Sequence, residues 1–356
     1  ILTNNRPILV PQDDSVIAYA EGEQPVFLRR SRGFAPTFVH RSATLPSANI
    51  FAAGADVKAA FAFRQSGNTY LSQYLGDLGS FRAQENYRHV RDHLGNILQA
   101  SPARVLTDLH PDYAATRLAE DYARERDLPV TRIQHHEAHF AAVLAENDCL
   151  DRPVLGVIWD GTGYGTDGQI WGGEFFRHQD ATFTRVGHLD YFPHFAGDKL
   201  AREPRLSALA AAGDLPSAED LLGEKFTITE WRIYQRLRQT GTLRSSSVGR
   251  LFDAVASLLG LADRQSYEGM AATRLEDLAR KGLGLHPRPR AYAVSLTTDG
   301  NIPTTPLLAA LLTDSLSTSG KAARFHLTLV DCVRQMAERE NLHDIAFSGG
   351  VFQNVL

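Results

Sequence analysis

The order of apolar and polar positions divides the chain into a turn-rich beginning and two α/β units. Residues 1 to about 45 alternate short apolar runs with polar turns, and this segment is too short to bury a core of its own. We therefore expect it to pack on another part of the protein. The first unit follows from residue 46. Its predicted strands are 49–55, 60–63, 69–75, 104–109 and 130–133, and its predicted helices are 85–99, 113–124 and 136–146.

A second unit repeats this order of elements. The continuous apolar run 154–159 is typical of a buried strand, and two further strands, 169–176 and 183–189, would complete a meander. Helical patterns dominate residues 204–340, and the apolar run 345–347 is a strand that ends in two glycines. Two units of this kind predict an α/β protein with the actin-like, ribonuclease-H-like two-lobed fold that binds ATP. We place the domain boundaries after residues 45 and 150.

Composition limits the classes of function. With 356 residues, the chain is long enough for two lobes with a core in each. A net charge of −4 gives no general reason to bind nucleic acid, although the cluster Arg29-Arg30-Ser31-Arg32 leaves room for a local basic patch. Only two cysteines occur, Cys149 and Cys332, which is too few for a disulfide framework and fits a reducing cytoplasm.

The apolar stretches are too short for a membrane span. The run 306–312 falls far below the roughly 18 residues that a span needs, and the beginning of the chain is unlike a signal peptide. The chain starts with Ile1 rather than methionine and stops at Leu356 within an apolar run. We therefore expect the natural protein to have residues on either side.

Two histidines four residues apart predict a metal site. His135 and His139 would lie on one face of a helix, where two imidazoles can hold one ion. Asp160 follows the buried strand and would complete a 2-His-1-carboxylate set with open positions, which suits Fe(II) or a catalytic zinc. The alternative is a pair of surface histidines. We predict that these three residues are the metal ligands and the catalytic groups, with magnesium as a further candidate beside the nucleotide.

Two glycine-rich segments are candidates for binding phosphate. Gly161, Thr162 and Gly163 follow the aspartate where we expect the strand to turn into a hairpin, and glycines there permit positive φ and a close approach of backbone N–H groups. An ordinary hairpin turn is the alternative. Gly349 and Gly350 follow a strand and precede an expected helix, whose N-terminus would favour an anion. A tight packing turn is the alternative here.

Other polar residues extend the candidate nucleotide site. Lys199 or Arg202 could reach a phosphate, although such a charged run is usually a solvated face. Glu268 could accept hydrogen bonds from ribose hydroxyls, or it could simply precede a helix. The full set of predicted nucleotide contacts is Gly161, Thr162, Gly163, Gly197, Asp198, Asp253, Glu268, Gly349, Gly350 and Asn354.

These segments together resemble one family. The matching runs are His-His-Glu-Ala-His at 135–139, Asp-Gly-Thr-Gly-Tyr-Gly at 160–165, Trp-Gly-Gly-Glu at 171–174, Gly-Arg-Leu-Phe-Asp at 249–253, Tyr-Glu-Gly at 267–269 and Ser-Gly-Gly-Val-Phe-Gln-Asn at 348–354. They resemble the HypF carbamoyltransferases of nickel–iron hydrogenase maturation. The resemblance extends over essentially the whole chain, and the joint set of motifs is highly specific.

The resemblance implies a fold, cofactors and partners. This part of the family is similar to the TsaD-like tRNA threonylcarbamoyl transferases, with an actin-like two-lobed fold that binds a metal and a nucleotide. Residues 1 to about 40, with Asn5-Arg6-Pro7 and Arg29-Arg30-Ser31-Arg32-Gly33, resemble the last stretch of the preceding YrdC-like domain. Carbamoyl phosphate and ATP would yield a carbamoyl-adenylate on that domain. The TsaD-like domain would then pass the carbamoyl group to the C-terminal cysteine of HypE, towards the cyanide ligands of the hydrogenase iron.

The chain departs from the family pattern in three ways. The acylphosphatase-like domain, the zinc-finger segment and most of the YrdC-like domain are absent from it, so adenylate formation by this chain stays open. The family's final Asp-Gly-Gly stretch, whose Asp is a further metal ligand, would lie beyond Leu356. Glu137 stands where the family often has histidine, although TsaD-like relatives also carry Glu there.

Two other functions remain open from the sequence. The chain could transfer carbamoyl to tRNA or to a small-molecule hydroxyl, as TsaD-like and O-carbamoyltransferase relatives do, although the acidic balance argues against tRNA. It could also be a non-catalytic nucleotide-binding scaffold that docks a partner.

Overall fold

The computed structural model describes residues 5, 8–19, 25–41, 48–285, 287 and 289–356. Contacts within the chain define two compact units, Ile1–His135 and His136–Leu356. The domain boundaries expected from the sequence, after residues 45 and 150, remain a prediction. Arg6 and Pro7, which belong to the resemblance with the YrdC-like domain, lie outside the described residues.

The first unit is built on a mixed sheet. Strands β4, β5 and β6 form an antiparallel meander, β7 pairs in parallel with β4, and β8 pairs in parallel with β7. Strand β3 pairs with β6, so part of the turn-rich segment joins this sheet, while β1 and β2 pair with each other. The elements are β1 Val16–Tyr19, β2 Pro25–Arg29, β3 Phe38–Arg41, β4 Ile50–Ala52, β5 Ala62–Gln65, β6 Asn68–Leu71, α1 Phe81–Leu98, β7 Arg104–Asp108, α2 Ala114–Glu125 and β8 Val130–Ile133.

Aromatic side chains fill the core of the first unit. Phe51, Phe61, Phe63 and Tyr87 are almost fully buried and pack against one another. Helix α1 begins four residues before the predicted start because the Ser80 side chain accepts a hydrogen bond from the N–H of residue 83, at 3.2 Å. The apolar pattern alone did not reveal this cap.

The N-terminal basic cluster is paired with acidic side chains. Arg29 lies 3.6 Å from Asp13, and Arg32 lies 3.4 Å from Asp14. These contacts offset the positive charge that the sequence suggested as a local patch. Among the described residues, none of the helices is long and apolar enough to cross a membrane.

The second unit repeats the topology of the first. Strands β9, β10 and β11 form the predicted antiparallel meander, and β14 pairs in parallel with β9 as β7 does with β4. Strands β12 and β13 extend the sheet beyond β10. The elements that surround the candidate site are α3 His135–Glu146, β9 Val154–Tyr164, β10 Ile170–Gln179, β11 Thr182–His188, β12 Phe192–Pro193, β13 Arg244–Ser245 and β14 Ile345–Ser348.

Helix α3 is fixed on the sheet of the second unit by an apolar contact. Its residues Phe140 and Leu144 are buried with Ile158 and Phe176. A Cβ on Gly156 would lie 2.8 Å from the Phe140 ring, so glycine is what lets this ring reach the strand. The packing sets the position of the helix that carries the histidines.

Helices make up most of residues 199–340 and enclose a large apolar core. In the charged run at the start of this region, Lys199 and Arg202 are exposed. Glu203 and Arg205 are buried and joined by hydrogen bonds of 2.7 and 2.9 Å. Cys332 is fully buried, Cys149 is half-buried, and both are free thiols. The helices are α4 Lys199–Arg202, α5 Pro204–Ala212, α6 Glu219–Gly223, α7 Ile228–Thr240, α8 Val248–Leu258, α9 Met270–Leu283, α10 Thr304–Thr313 and α11 Thr318–Glu340.

Candidate metal and nucleotide site

Three predicted metal ligands, from α3 and β9, come together. Ligand atoms of His135, His139 and Asp160 all lie within 4.8 Å of one another. His139 Nε2 lies 3.7 Å from Asp160 Oδ2, and both side chains are partly exposed. Two atoms at this spacing, each about 2.1 Å from a shared ion, would enclose an angle of about 120°, which is open enough for tetrahedral zinc. Two imidazoles and one carboxylate therefore fit an iron or zinc ion.

Each histidine also contacts a neighbouring side chain through Nδ1. His135 Nδ1 lies 2.8 Å from Asp108 Oδ2, and His139 Nδ1 lies 3.1 Å from the Ser348 hydroxyl. Metal-binding histidines usually have such an outer partner, which fixes the orientation of the ring. Burial raises the pKa of Glu137, which lies between the two histidines on α3.

A β-bulge in β9 sets the direction of the Asp160 side chain. Trp159 pairs with Gly173 and Gly163 pairs with Trp171, so residues 160–162 of β9 stand opposite Gly172 alone. Extra residues in one strand bend it and redirect a side chain. The expected hairpin turn at residues 160–163 was therefore wrong. These residues lie inside β9, and the positive φ of this hairpin, 74°, belongs to Gly168 rather than to Gly161 or Gly163.

The backbone beneath the bulge depends on glycines. A Cβ on Gly172 would lie 2.6 Å from the Asp160 carbonyl oxygen, and one on Gly173 would lie 2.3 Å from the Ser246 carbonyl oxygen. The Ser247 hydroxyl donates to the carbonyl oxygens of Asp160 and Gly161, at 3.1 and 2.8 Å. The close approach of these backbone segments explains the two glycines of the Trp-Gly-Gly-Glu motif.

Glu174 holds the backbone at Gly172 and Gly173 through hydrogen bonds. Its side chain is fully buried, and Oε1 accepts the N–H groups of Gly172 and Gly173 at 2.9 and 3.0 Å. Oε2 accepts a hydrogen bond from Arg185 Nε at 2.6 Å. This charge-assisted network satisfies a carboxylate that burial would otherwise strongly destabilise.

The two glycines after β14 contact the metal site. Gly349 has φ 106°, and a Cβ there would lie 2.1 Å from the Trp159 carbonyl oxygen. The N–H of Gly350 donates to Asp160 Oδ1 at 3.2 Å. The chain continues in a 3-10 helix of four residues, Gly350–Gln353. An anion site at these two glycines stays a prediction.

Several predicted nucleotide contacts are exposed. Thr162 lies on the exposed side of β9. Gly197, with φ 54°, and Asp198 lie in the turn directly before α4. Glu268 lies in the turn before α9, and its neighbour Tyr267 is exposed as well.

Asp253 and Asn354 are already engaged. Asp253 lies inside α8, and only 2% of it is exposed. It pairs with Arg250 at 2.9 Å and accepts a hydrogen bond from Gln265 at 3.1 Å. Burial raises its pKa to about 6, against the opposing effect of Arg250. The Asn354 side chain bonds His326 Nε2 at 3.1 Å.

Sequence reasoning missed Asp108 and Glu174. Asp108 is the last residue of β7, where functional carboxylates of α/β proteins often lie, but the predicted strand ran to residue 109, and the partner of Asp108, His135, is 27 residues away. Glu174 belongs to the Trp-Gly-Gly-Glu motif, but no role was predicted for it from the sequence. Ser348 is the first residue of the motif at 348–354, and its contact with His139 spans 209 residues.

Comparison with known proteins identifies relatives of both units. A family model described as the carbamoyltransferase Kae1-like domain, second subdomain, matches residues 156–356, and a model of the HypF Kae1-like domain matches residues 46–146. The carbamoyltransferase HypF of Synechocystis sp. is 36% identical over 380 residues, which cover 99% of this chain and 48% of that protein. A carbamoyltransferase HypF homolog of Cupriavidus necator is 34% identical over 336 residues, 88% of this chain and 84% of the homolog.

A solved structure has the same fold. The crystal structure of full-length HypF in the phosphate- and nucleotide-bound form matches with a TM-score of 0.87 and 30% identity, over 99% of this chain and 56% of that one. The predicted actin-like α/β fold is thereby confirmed. The chain spans about half the length of the Synechocystis relative.

Proposed function

The chain belongs to the HypF carbamoyltransferase family, and we propose that it carries out the carbamoyl-transfer step of that family. In this proposal it holds a carbamoyl-adenylate beside a divalent metal and passes the carbamoyl group to the C-terminal cysteine of HypE. The observation that carries the proposal is the convergence of His135, His139 and Asp160, within 4.8 Å, in a chain of this family.

Each group has a defined part in the proposal. His135, His139 and Asp160 hold the metal, iron or zinc. A bound ion would supply Lewis-acid polarisation of a phosphate or carbamoyl oxygen. The N–H of Gly350 donates to Asp160 Oδ1 and orients the aspartate.

The nucleotide is assigned to the surface beside the metal ligands. The crystal structure of a nucleotide-bound HypF relative supports the use of ATP or its adenylate. Gly161, Thr162 and Gly163 on β9, with Gly349 and Gly350 after β14, are the proposed phosphate contacts. The exposed Gly197, Asp198 and Glu268 extend this set. Asp253 and Asn354 would contribute only by giving up the contacts that they now make.

The transfer step balances without a protein nucleophile. The cysteine sulfur of HypE attacks the carbamoyl carbon and forms the S–C bond, while the bond from that carbon to the phosphate oxygen breaks. AMP leaves with the electron pair of that bond, and the thiol proton is released to solvent. Backbone N–H groups near the phosphate would stabilise the charge that develops on it.

Carbamoyl phosphate and ATP are the proposed sources of the adenylate. Because the chain spans about half of a full-length relative, the adenylate-forming step is assigned to the longer protein. The decisive experiment therefore supplies preformed carbamoyl-adenylate to the purified chain, in separate reactions with HypE and with tRNA. Intact-mass spectrometry should show one added carbamoyl group on HypE. Modification of tRNA instead would support the alternative acceptor, and nucleotide binding without transfer would support a scaffold.

A single variant tests the metal site. His139→Ala removes one ligand from a partly exposed position and should abolish stoichiometric zinc binding and carbamoyl transfer while the fold is retained. The chain offers a matched control, because His89 and His93 form a second histidine pair four residues apart, on α1, with rings 6.4 Å apart. His89→Ala should leave zinc binding unchanged. Full zinc occupancy in folded His139→Ala would exclude the assignment.

A further inference from the structure

The two histidines have outer partners at the same topological position of the two units. We propose that Asp108 and Ser348 are positioning residues, which aim the metal-binding nitrogens of His135 and His139. This inference rests on the proposed metal site and adds two residues to it.

The fold provides this arrangement twice. Asp108 is the last residue of β7, which pairs in parallel with β4, and Ser348 is the last residue of β14, which pairs in parallel with β9. Both residues therefore sit at the carboxyl end of the parallel strand next to a meander, an edge that often carries functional groups in α/β proteins. Each contacts a histidine of α3 through Nδ1.

The chemistry of Asp108 fixes a tautomer. Its side chain is 6% exposed, its Oδ2 lies 2.8 Å from His135 Nδ1, and its Oδ1 accepts the N–H of His110 at 2.8 Å. An ionised carboxylate can only accept hydrogen bonds. Nδ1 of His135 must therefore carry the hydrogen, which leaves the Nε2 lone pair for a metal.

Ser348 holds its histidine less strictly. A hydroxyl both donates and accepts, so the contact at 3.1 Å orients the His139 ring without imposing a tautomer. The same loop also reaches the third ligand, since the N–H of Gly350 donates to Asp160 Oδ1. We therefore expect substitution of Ser348 to lower zinc affinity less than substitution of Asp108 does.

Asp108→Asn separates tautomer control from simple packing. Both present partners of Asp108 are N–H donors, and an amide has a single oxygen to accept them. When the new NH₂ group faces His135, it donates to Nδ1 and moves the ring hydrogen to Nε2, where it blocks the metal. We expect zinc affinity, measured by competition with a chromogenic chelator, to fall about 10- to 100-fold in Asp108→Asn.

Ser348→Ala should lower zinc affinity up to about tenfold, and Ser348→Thr should restore it because the hydroxyl returns. Nitrogen NMR of labelled histidine gives a readout that a purely structural role would not move. In the metal-free parent, His135 should carry its hydrogen on Nδ1, and in Asp108→Asn a substantial fraction should carry it on Nε2.

Asp56→Asn is the matched control. Asp56 also accepts two N–H groups, those of Ala114 and Ala115, both at 2.8 Å, but it does so at α2. The Asp56→Asn variant should therefore have the zinc affinity and the histidine tautomers of the parent chain. If the parent chain binds no zinc, the metal site itself is wrong. If the parent binds zinc and both Asp108→Asn and Ser348→Ala match it, the positioning role is wrong and the metal site stands.

Discussion

Each unit has a carboxylate in or shortly after the first strand of its meander, and the two carboxylates have different partners. In the first unit, Asp56 follows β4 and accepts the N–H groups of Ala114 and Ala115 at the start of α2. In the second, Asp160 lies in the bulge of β9, where Oδ1 accepts one N–H group and Oδ2 lies 3.7 Å from His139 Nε2. The partner of each carboxylate depends on the element beside it. Asp56 caps helix α2, whereas Asp160 faces a histidine of α3.

The second strands of the two meanders differ as well. In the first unit, Phe63 of β5 pairs with Phe51 of β4, within an aromatic core. In the second, the fully buried Glu174 of β10 pairs with Ile158 of β9. Burying an ion pair is weak as a source of stability, but losing one partner is costly. In the second unit, a charged network beside the apolar core thus holds the backbone near Asp160.

The largest expected effects on stability come from substituting Glu174 of β10 and Phe63 of β5. Glu174→Ala leaves Arg185 without its buried partner and should lower the free energy of unfolding by about 3–5 kcal/mol. Phe63→Ala should cost about the same, 3–5 kcal/mol, through a cavity. Urea denaturation measures both. Only Glu174→Ala should also weaken zinc binding, because it frees the N–H groups of Gly172 and Gly173. Equal zinc affinity in the two variants would mean that Glu174 serves the fold alone.

A second buried carboxylate, Asp253, gives a pH-dependent effect. Burial raises its folded pKa to about 6 from the ordinary value of 3.8, so between about pH 4 and pH 6 the folded state binds more protons than the unfolded state. The Asp253 contribution to stability therefore falls as pH rises through this window. Burial lowers the pKa of nearby His194 to about 4, which gives a slope of the opposite sign.

Asp253→Asn removes the pH dependence of stability that Asp253 contributes and keeps the pH dependence that His194 contributes. The unfolding free energy of the variant relative to the parent should rise between about pH 4 and pH 6, by on the order of 2–3 kcal/mol, and stay level above pH 6. Urea unfolding at several pH values measures this difference, in which the His194 contribution cancels. Parallel curves for the two proteins would show that Asp253 titrates as an exposed carboxylate does, despite its burial.

Local pattern was enough to predict the meanders and α3, and it failed where distant backbone segments meet. The strand 130–133 and the run 154–159 each follow a proline and end before a polar residue, Gln134 or Asp160, which is why their positions could be predicted. The Asp-Gly pair at 160 indicated a turn because its long-range partners, Gly172 and Ser247, leave no mark in the neighbouring sequence. The burial of Asp253 beside Arg250 is likewise not revealed by the helix pattern.

The smallest expected change in stability is also the most direct comparison of the two carboxylates. In metal-free protein, Asp56→Ala should lower the unfolding free energy by about 0.5–2 kcal/mol, as the loss of an N-terminal cap does. In Asp160→Ala, loss of the Gly350 contact should cost less than this, because the N–H of Gly350 is exposed and can bond water instead. At zinc concentrations about 100-fold above Kd, binding should add about 2.7 kcal/mol to the parent and to Asp56→Ala, and nothing to Asp160→Ala. If zinc stabilised all three proteins equally, Asp160 would be a structural residue like Asp56, and the difference between the units would lie elsewhere.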